Sequence, residues 1–442
     1  MTETGAASHK HLVRGIGFMG LAVIVINSMI GAGIFALPAA VSAKAGVLSP
    51  WLFLAVGLLI ISVVLTFAEL SSYFKSSGGP VLFTTTAFGP LAGFTTGWVL
   101  FVSRMAAFAA NTTVMAVYLG AIWPWFSAGI GRTLLIVVVS SVLTYVNLIG
   151  VKEGVRTMAV ITFFKLTPIL LLIVLGLQHV SSDILFPATM PTIDDLGGTT
   201  LLLVYAFVGF ESVTIVSGES KNPTRTMPRA LVMTVIATGT LYFLIVLAYI
   251  SVLPDAGASG ATLIDVGREL MGPAGAVLIT LAAFFSIGGN LSSIMLAVPR
   301  LTFALAQDRL LPKWFGEIHE KYSTPGNSII FLGGLGLIFA LTGSFAYLAA
   351  ASSLMRLIAY VLCISALPAI RRKATAEETA DAYRLKGGYT IPGFALILCL
   401  WIGAQASLLS WQVTGGLVAA GLALYAVSAQ RRARWVAQSD QE

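Results

Sequence analysis

The chain is 442 residues long, 57% hydrophobic and only 10% charged, with a mean hydropathy of +0.91. Soluble domains carry about a quarter of their residues as charges, so this composition excludes a soluble globular protein and implies a polytopic membrane protein. The net charge of +7 does not point to nucleic acid, because most basic residues fall between apolar runs on one side of the membrane.

Apolar runs of roughly 20 residues span a bilayer as helices. Twelve are expected here: 15–43, 49–74, 90–119, 132–150, 155–178, 196–217, 228–253, 273–304, 327–343, 345–370, 389–411 and 414–430. The longer runs require tilt or a break. Cytoplasmic loops are rich in Lys and Arg, which sets the orientation. Lys10, Arg14, Lys152, Arg229, Arg309, Arg371, Arg372 and Arg432 fall on the side of the N-terminus. Lys44, Arg132 and Arg268 fall opposite, with Asp183, Asp194, Asp195, Asp255 and Asp265. Both tails, 1–14 and 431–442, are therefore expected in the cytoplasm, with the chain integral to the plasma membrane. The first run is too long for a cleaved signal peptide, and no small-residue cleavage site follows a short apolar core.

Cys363 and Cys399 lie inside expected spans, which speaks against a disulfide framework. His9, His11, His179 and His319 lie in tails or loops at spacings that suggest no metal site. No nucleophile triad, phosphate-binding loop or intramembrane carboxylate pair is evident. The sequence therefore predicts no enzyme, no catalytic residue, no cofactor and no metal. Its expected partners are the lipid bilayer and a small solute, not nucleic acid.

The first informative stretch is Gly31-Ala32-Gly33-Ile34-Phe35, in the middle of the first run. An interior Gly weakens a helix by roughly 1 kcal/mol relative to Ala, and backbone freed at membrane depth must find another partner. Two readings stand: close packing of a neighbouring helix, or a bound substrate. Next, Glu69 lies six residues before Lys75 near a helix end, which favours a snorkelled or locally paired structural role. Gly78-Gly79-Pro80 reads as the turn that ends that span.

Four charges lie near mid-depth: Arg104, Lys165, Glu211 and Arg356. Lys165 is thirteen residues beyond Lys152, which at about 1.5 Å per residue puts it roughly 20 Å into the hydrocarbon layer. Intramembrane ionisable groups are expensive, and by default face the bundle interior with a function. A buried ion pair that only orders the bundle is the alternative. Three deep cations meet one deep anion. Arginine keeps its proton, whereas lysine can lose one, so Lys165 is expected to exchange a proton or to carry a charge that depends on what occupies the site. Glu211 is the natural partner of Arg104 or Arg356, and the sequence does not say which.

The sixth run repeats the first feature: Tyr205-Ala206-Phe207-Val208-Gly209-Phe210-Glu211-Ser212 puts a Gly and an acid mid-span. Two broken helices five spans apart fit two inverted five-helix repeats with a site at their interface. The fifth and tenth spans become mates, and each carries a deep cation, Lys165 and Arg356. Freed N–H groups at a half-helix N-terminus, backed by the helix dipole, bind a carboxylate; freed carbonyls bind an ammonium. Residues 32–35 would supply the N–H groups and residues 207–209 the carbonyls, together a site for a zwitterion. Glycine at 31 and 33 lets the ligand reach the backbone.

Several motifs resemble those of the amino acid, polyamine and organocation permeases, in particular the sodium-independent amino acid permeases. They are Ile30-Gly31-Ala32-Gly33-Ile34-Phe35-Ala36-Leu37-Pro38, Gly209-Phe210-Glu211 with Glu219-x-Lys221-Asn222-Pro223, and Pro228-Arg229-Ala230. Pro299-Arg300 leading to Asp308-Arg309-Leu310-Leu311-Pro312, and Arg356-Leu-Ile-Ala-Tyr360 ending in Leu367-Pro368 and Arg371-Arg372, complete the set. The likeness runs from about residue 14 to residue 430. It implies an all-α, leucine-transporter-like fold of 12 transmembrane helices: inverted repeats at 15–178 and 196–370, then two peripheral helices at 389–430. It also implies that the substrate carboxylate sits on residues 31–35 and its ammonium on carbonyls near 29–30 and 207–210. Lys165 matches the lysine that stands where sodium-coupled relatives hold a sodium ion, which argues against sodium coupling. By the same resemblance Ser292 or Ser293 lies near that position, and Tyr205 or Phe207 forms an aromatic gate.

Candidates for the side-chain pocket are Ala107, Phe108, Asn111, Thr112, Phe207, Phe210, Asn290 and Tyr360. They are mostly uncharged and predict a neutral amino acid. A cationic substrate or polyamine would need a spare acid, and an acidic one an unpaired Arg104 or Arg356. The expected activity is secondary active transport driven by protons or by exchange. The rivals are a sodium symporter and a non-transporting sensor, which would be expected to carry a long soluble extension.

Overall fold

In a computed structural model the chain is described over residues 16–74, 78–150, 155–185, 193–215, 217, 220–255 and 259–439. The expectations placed on the N-terminal tail, Lys75, Lys152 and Glu219 lie outside these residues. The described residues are helical and contain no strand, only a single bridge between Ile16 and Ser220.

The first run forms two helices, α1 (Phe18–Met29) and α2 (Gly33–Ala45), separated by Ile30, Gly31 and Ala32. Then follow α3 (Ser49–Ser72), α4 (Gly79–Phe88), α5 (Pro90–Ile122), α6 (Gly129–Leu148), α7 (Val155–Gly176) and the single turn α8 (Ser182–Leu185). Gly78-Gly79-Pro80 thus starts a helix, contrary to its reading as a simple turn: Gly78 and Gly79 take φ of 139° and 51°, and Pro80 stands in the first turn of α4, where its missing N–H is harmless.

The sixth run is also interrupted, between α9 (Ile193–Phe207) and the short α10 (Ser212–Ile215). The remainder is α11 (Pro223–Val252), α12 (Leu263–Gln307), α13 (Gly326–Thr342), α14 (Phe345–Lys373), α15 (Ala376–Asp381), α16 (Thr390–Ala404) and α17 (Leu408–Ser439). Helix α12 kinks at Gly272, whose φ of 65° precedes Pro273. Among the described residues, eight stretches are long and apolar enough to cross a membrane, and four further apolar helices are shorter, two of them α1 and part of α9. Breaking a span in two is what makes those two short.

The core is continuous. Helix α3 packs along α11, α5 along α14 and α12, and α7 along α12. The halves α1, α2 and α9 sit inside this shell, so that backbone freed at their breaks meets protein rather than lipid, as a low-dielectric surround requires. Exposed large apolar residues such as Leu58, Val138, Phe163, Ile236 and Ile397 decorate the outside of the bundle, the surface a bilayer covers.

Candidate functional site

The first break is held from three sides. Asn290 Nδ2 donates to the carbonyls of Asn27 and Ser28 at 3.0 and 2.9 Å, satisfying groups that the end of α1 leaves unpaired. Lys165, fully buried, donates from Nζ to Asn27 Oδ1 at 2.9 Å, Ile30 O at 3.2 Å and Ile26 O at 3.4 Å. Ser286 Oγ donates to Ile30 O at 2.9 Å. On the other side of the break, the Ala32 N–H donates to Asn111 Oδ1 at 2.9 Å. The Phe35 N–H closes a turn onto Ala32 O at 3.1 Å. The N–H groups of Gly33 and Ile34, first in α2, therefore lack an acceptor within their helix. The expected donor set of residues 32–35 narrows to these two.

The second break is made by Glu211. Gly209 N–H would ordinarily bond the carbonyl four residues back. Instead it donates to Glu211 Oε2 at 2.9 Å, and Gly209 takes a φ of 119° that favours glycine. The carbonyls of Tyr205, Ala206 and Phe207 thereby end α9 with no helical donor. The two breaks touch: a Cβ on Gly209 would fall 2.3 Å from Ser28 O, and one on Gly33 3.3 Å from Ala206 Cα. The start of α2, with its positive dipole end, thus faces the last turn of α9, with its negative end.

Glu211 also gathers the deep charges. Arg104 Nη2 donates to Glu211 Oε1 at 3.0 Å, to Ser212 Oγ, and to Gly209 O at 3.4 Å. Arg356 Nε approaches the same Oε1 at 3.2 Å, and Tyr360 Oη donates to Oε2 at 2.8 Å. Both arginines, not one, share this carboxylate. A guanidinium carries five donors and a carboxylate about four acceptor sites, so one acid can serve two arginines without fully satisfying either.

A small cavity of about 20 Å³ lies between the breaks, lined by Ser28, Met29, Gly31, Ala32, Gly33, Tyr205 and Val208 on the broken helices and their breaks, and by Arg104, Ala107, Asn111, Asn290 and Arg356 around them. The part wide enough for water is little more than one water across, so a ligand must part the lining to enter. Among the expected site residues, Gly31, Ala32, Gly33, Ala107, Asn111, Tyr205 and Asn290 come together on this wall. Asn111 Nδ2 donates to the Tyr205 hydroxyl at 2.9 Å, and the Tyr205 ring packs edge-on against Phe345.

Other expected residues lie elsewhere. Phe207 packs on Tyr242 and Gly57; residues two apart on a helix point about 200° apart, so Tyr205 and Phe207 cannot both face the cavity. Phe108 packs on Gly336. Tyr360 and Phe210 join Phe67 in an aromatic cluster behind Glu211. Ile30 and Ile34 are buried beside the cavity, as is Phe35, whose ring packs edge-on against Tyr118. Ser293 donates to Gly289 O of its own helix, and among the described residues Lys165 bonds Ile26 O, Asn27 Oδ1 and Ile30 O rather than Ser292 or Ser293. Ser286 contacts the break instead; Ser293 shares its face of α12 but lies two turns, about 10 Å, further on. Thr112 donates to Phe108 O, again within its own helix.

Sequence reasoning missed Asn27, Ser28, Ser286 and Ser212. Asn27 and Ser28 carried a signal, as adjacent polar residues in an apolar run directly before Gly31. Ser286 and Ser212 carried none beyond being one hydroxyl among many.

An interior cavity walled by two interrupted helices and their free backbone groups, within an all-helical membrane protein, is an arrangement that secondary transporters use for binding at mid-membrane. Comparison of sequences makes the class specific. The profile of the amino acid permease family matches residues 16–426, and the chain belongs to that family. It is 28% identical over 431 residues to the serine/threonine exchanger SteT of Bacillus subtilis, covering 93% of this chain and 94% of that one. It is 24% identical over 422 residues to the branched-chain amino acid permease BcaP of the same organism, covering 90% and 89%. The methylthioribose transporter of B. subtilis is 25% identical over 440 residues, covering 96% and 95%.

Proposed function

We propose that the chain is a sodium-independent secondary transporter that carries an amino acid across the plasma membrane by alternating access, driven by protons or by exchange, with both termini in the cytoplasm. The substrate α-carboxylate docks on the N–H groups of Gly33 and Ile34, and its ammonium on the last carbonyls of α9. The observation that carries this reading is Lys165: its ammonium sits among Ile26 O, Asn27 Oδ1 and Ile30 O, an oxygen cage that would otherwise suit a small cation.

Paired helix contacts of the kind an inverted repeat of five helices each would produce support the same reading. Helix α1 packs on α7 as α9 packs on α14, and α5 on α14 as α12 on α7. Each deep cation of the mates lies against a break: Lys165 at Ile30 and Arg356 at Glu211. With α16 and α17 outside the repeats, the whole makes twelve spans.

A cationic amino acid or polyamine fits poorly, because the wall holds two guanidiniums and no acid. The relatives named for serine, threonine and branched-chain amino acids support an amino acid as the cargo. The test is uptake into proteoliposomes of an amino acid panel, under a pH gradient, a sodium gradient and an internal exchange substrate in separate arms. Uptake with a pH gradient or an exchange substrate and none with sodium alone is expected; uptake that requires sodium would overturn the role given to Lys165.

A further inference from the structure

The cluster around Glu211 holds more positive charge than it neutralises. Arg104, Arg356 and Glu211 are all buried, two cations against one anion. Glu211 is engaged on both oxygens, by Arg104 on Oε1 and by Gly209 N–H and Tyr360 on Oε2. Arg356 Nε stands 3.2 Å from Oε1, yet neither Nε nor Nη2 makes a hydrogen bond, although the residue is 1% exposed. Buried donors left unmade are costly, and a guanidinium fork matches a carboxylate in two-point geometry. Arg104 and Arg356 both line the cavity that holds Gly31 and Gly33, and no acidic residue lines it. A side chain entering from the zwitterion end meets an excess cation with donors to spare.

Resting on the transport reading above, we propose that Arg356, flanked by Arg104, is a carboxylate subsite for the substrate's side chain, so that the transported amino acid is acidic. The sequence alone favours a neutral side chain because its pocket candidates are mostly uncharged; in the structure two guanidiniums share the one carboxylate of Glu211, which leaves a net positive charge at the cavity wall. An acidic side chain neutralises it and takes the free donors. The matching amide brings no charge and turns its own N–H groups towards a donor. A cationic side chain is repelled.

The experiment uses the purified full-length chain in proteoliposomes, with binding and uptake of aspartate, glutamate, asparagine, glutamine, serine and lysine. An acid should be preferred over its own amide by about 100-fold, since a site built to bond a group rejects an analogue lacking it by a large factor. In Arg356→Met that ratio should fall towards one, and in Arg356→Lys part of it should return. Should Arg356→Met not fold, the ratio in the unaltered chain and in Arg356→Lys decides. Asparagine or serine taken up as well as aspartate, with other transport intact, overturns the subsite and leaves the transport reading standing. Absence of binding and uptake for every amino acid under every gradient overturns both. A chloride ion could meet the same donors, so each arm is repeated with gluconate in place of chloride. Acid uptake indifferent to the exchange supports the side-chain carboxylate, and neutral amino acid uptake that requires chloride overturns it.

Discussion

Glu69 and Glu211 are both buried and both bound by arginine, yet their surroundings differ in charge balance and in closure. Glu69 meets one cation: Arg371 donates from Nε and Nη2 at 2.8 Å each, one to either oxygen. Leu385 N–H adds a third bond at 3.0 Å. The third nitrogen of Arg371, Nη1, donates to Gly388 O at 3.0 Å, and the guanidinium stacks over the Tyr389 ring. Tyr73, just past the end of α3, donates from its hydroxyl to Glu69 Oε1 at 3.4 Å. The pair ties α3 to α14 and to the segment before α16, and it opens on no cavity that lines the breaks. Glu211 instead serves two guanidiniums, one with donors unspent, beside a cavity. A balanced, closed ion pair orders a bundle; an unbalanced one at a cavity leaves charge for a ligand.

The largest effect should come from breaking the closed pair. Glu69→Ala leaves Arg371 without its carboxylate, held only by Gly388 O and the Tyr389 ring, and removing one partner of a buried pair costs about 3–5 kcal/mol. Chemical or thermal unfolding in detergent should read that loss, while the folded fraction keeps its substrate affinity and selectivity. Altered selectivity with stability unmoved would break the contrast with Glu211.

Next in size is Lys165→Met at the first break. Among the described residues no acid bonds Lys165; its partners are two carbonyls and the Asn27 amide, so an apolar side chain of similar length should leave the bundle folded. Transport should fall by about 100-fold or lose its pH dependence, as expected when a group that must gain and lose a proton is removed. Uptake that stays unchanged between about pH 5 and pH 8 would sink the proton-linked role.

The contrast between the two glutamates also marks how far the sequence could be read. The spans, the two breaks and the four deep charges follow from apolar periodicity and from glycine and charge placed where neither is cheap. They belong to one chain segment each. The partner of Glu69 does not: Lys75 is six residues away and Arg371 is 302, and only the fold brings α3 and α14 together. The sharing of Glu211 is of the same kind, a fact of three helices meeting. The Ser286 contact fails to show for another reason, since α12 repeats its faces every two turns and sequence fixes the face before the level.

A moderate effect is expected at Gly33. A Cβ there would lie 3.3 Å from Ala206 Cα and 3.4 Å from Tyr205, so Gly33→Val should shift the contact between the breaks and cover the N–H it presents. Affinity for substrate should drop by about tenfold or more, with a stability cost of about 1–3 kcal/mol for overpacking. Binding that survives intact, measured by isotope displacement in detergent, would return Gly33 to a purely packing role and leave Glu211 as the sole functional break.

The smallest effect extends the comparison to the carbonyl of Ile30, which accepts from two donors, Lys165 and Ser286. Ser286→Ala removes one of them, and Lys165 keeps the oxygen satisfied, so the loss should be one ordinary hydrogen bond, about 0.5–1.5 kcal/mol. The positional consequence is more telling than the energy. With Ser286 gone, the Lys165 ammonium is the last side-chain tie on Ile30 O, and the pH dependence of uptake should steepen or shift. Ser293→Ala, whose hydroxyl bonds only its own helix at Gly289 O, should leave both stability and pH profile as they were. A shifted profile in the Ser293 variant, with the Ser286 variant silent, would reverse the assignment along α12 and place the hydroxyl that serves the break two turns away from where the geometry has it.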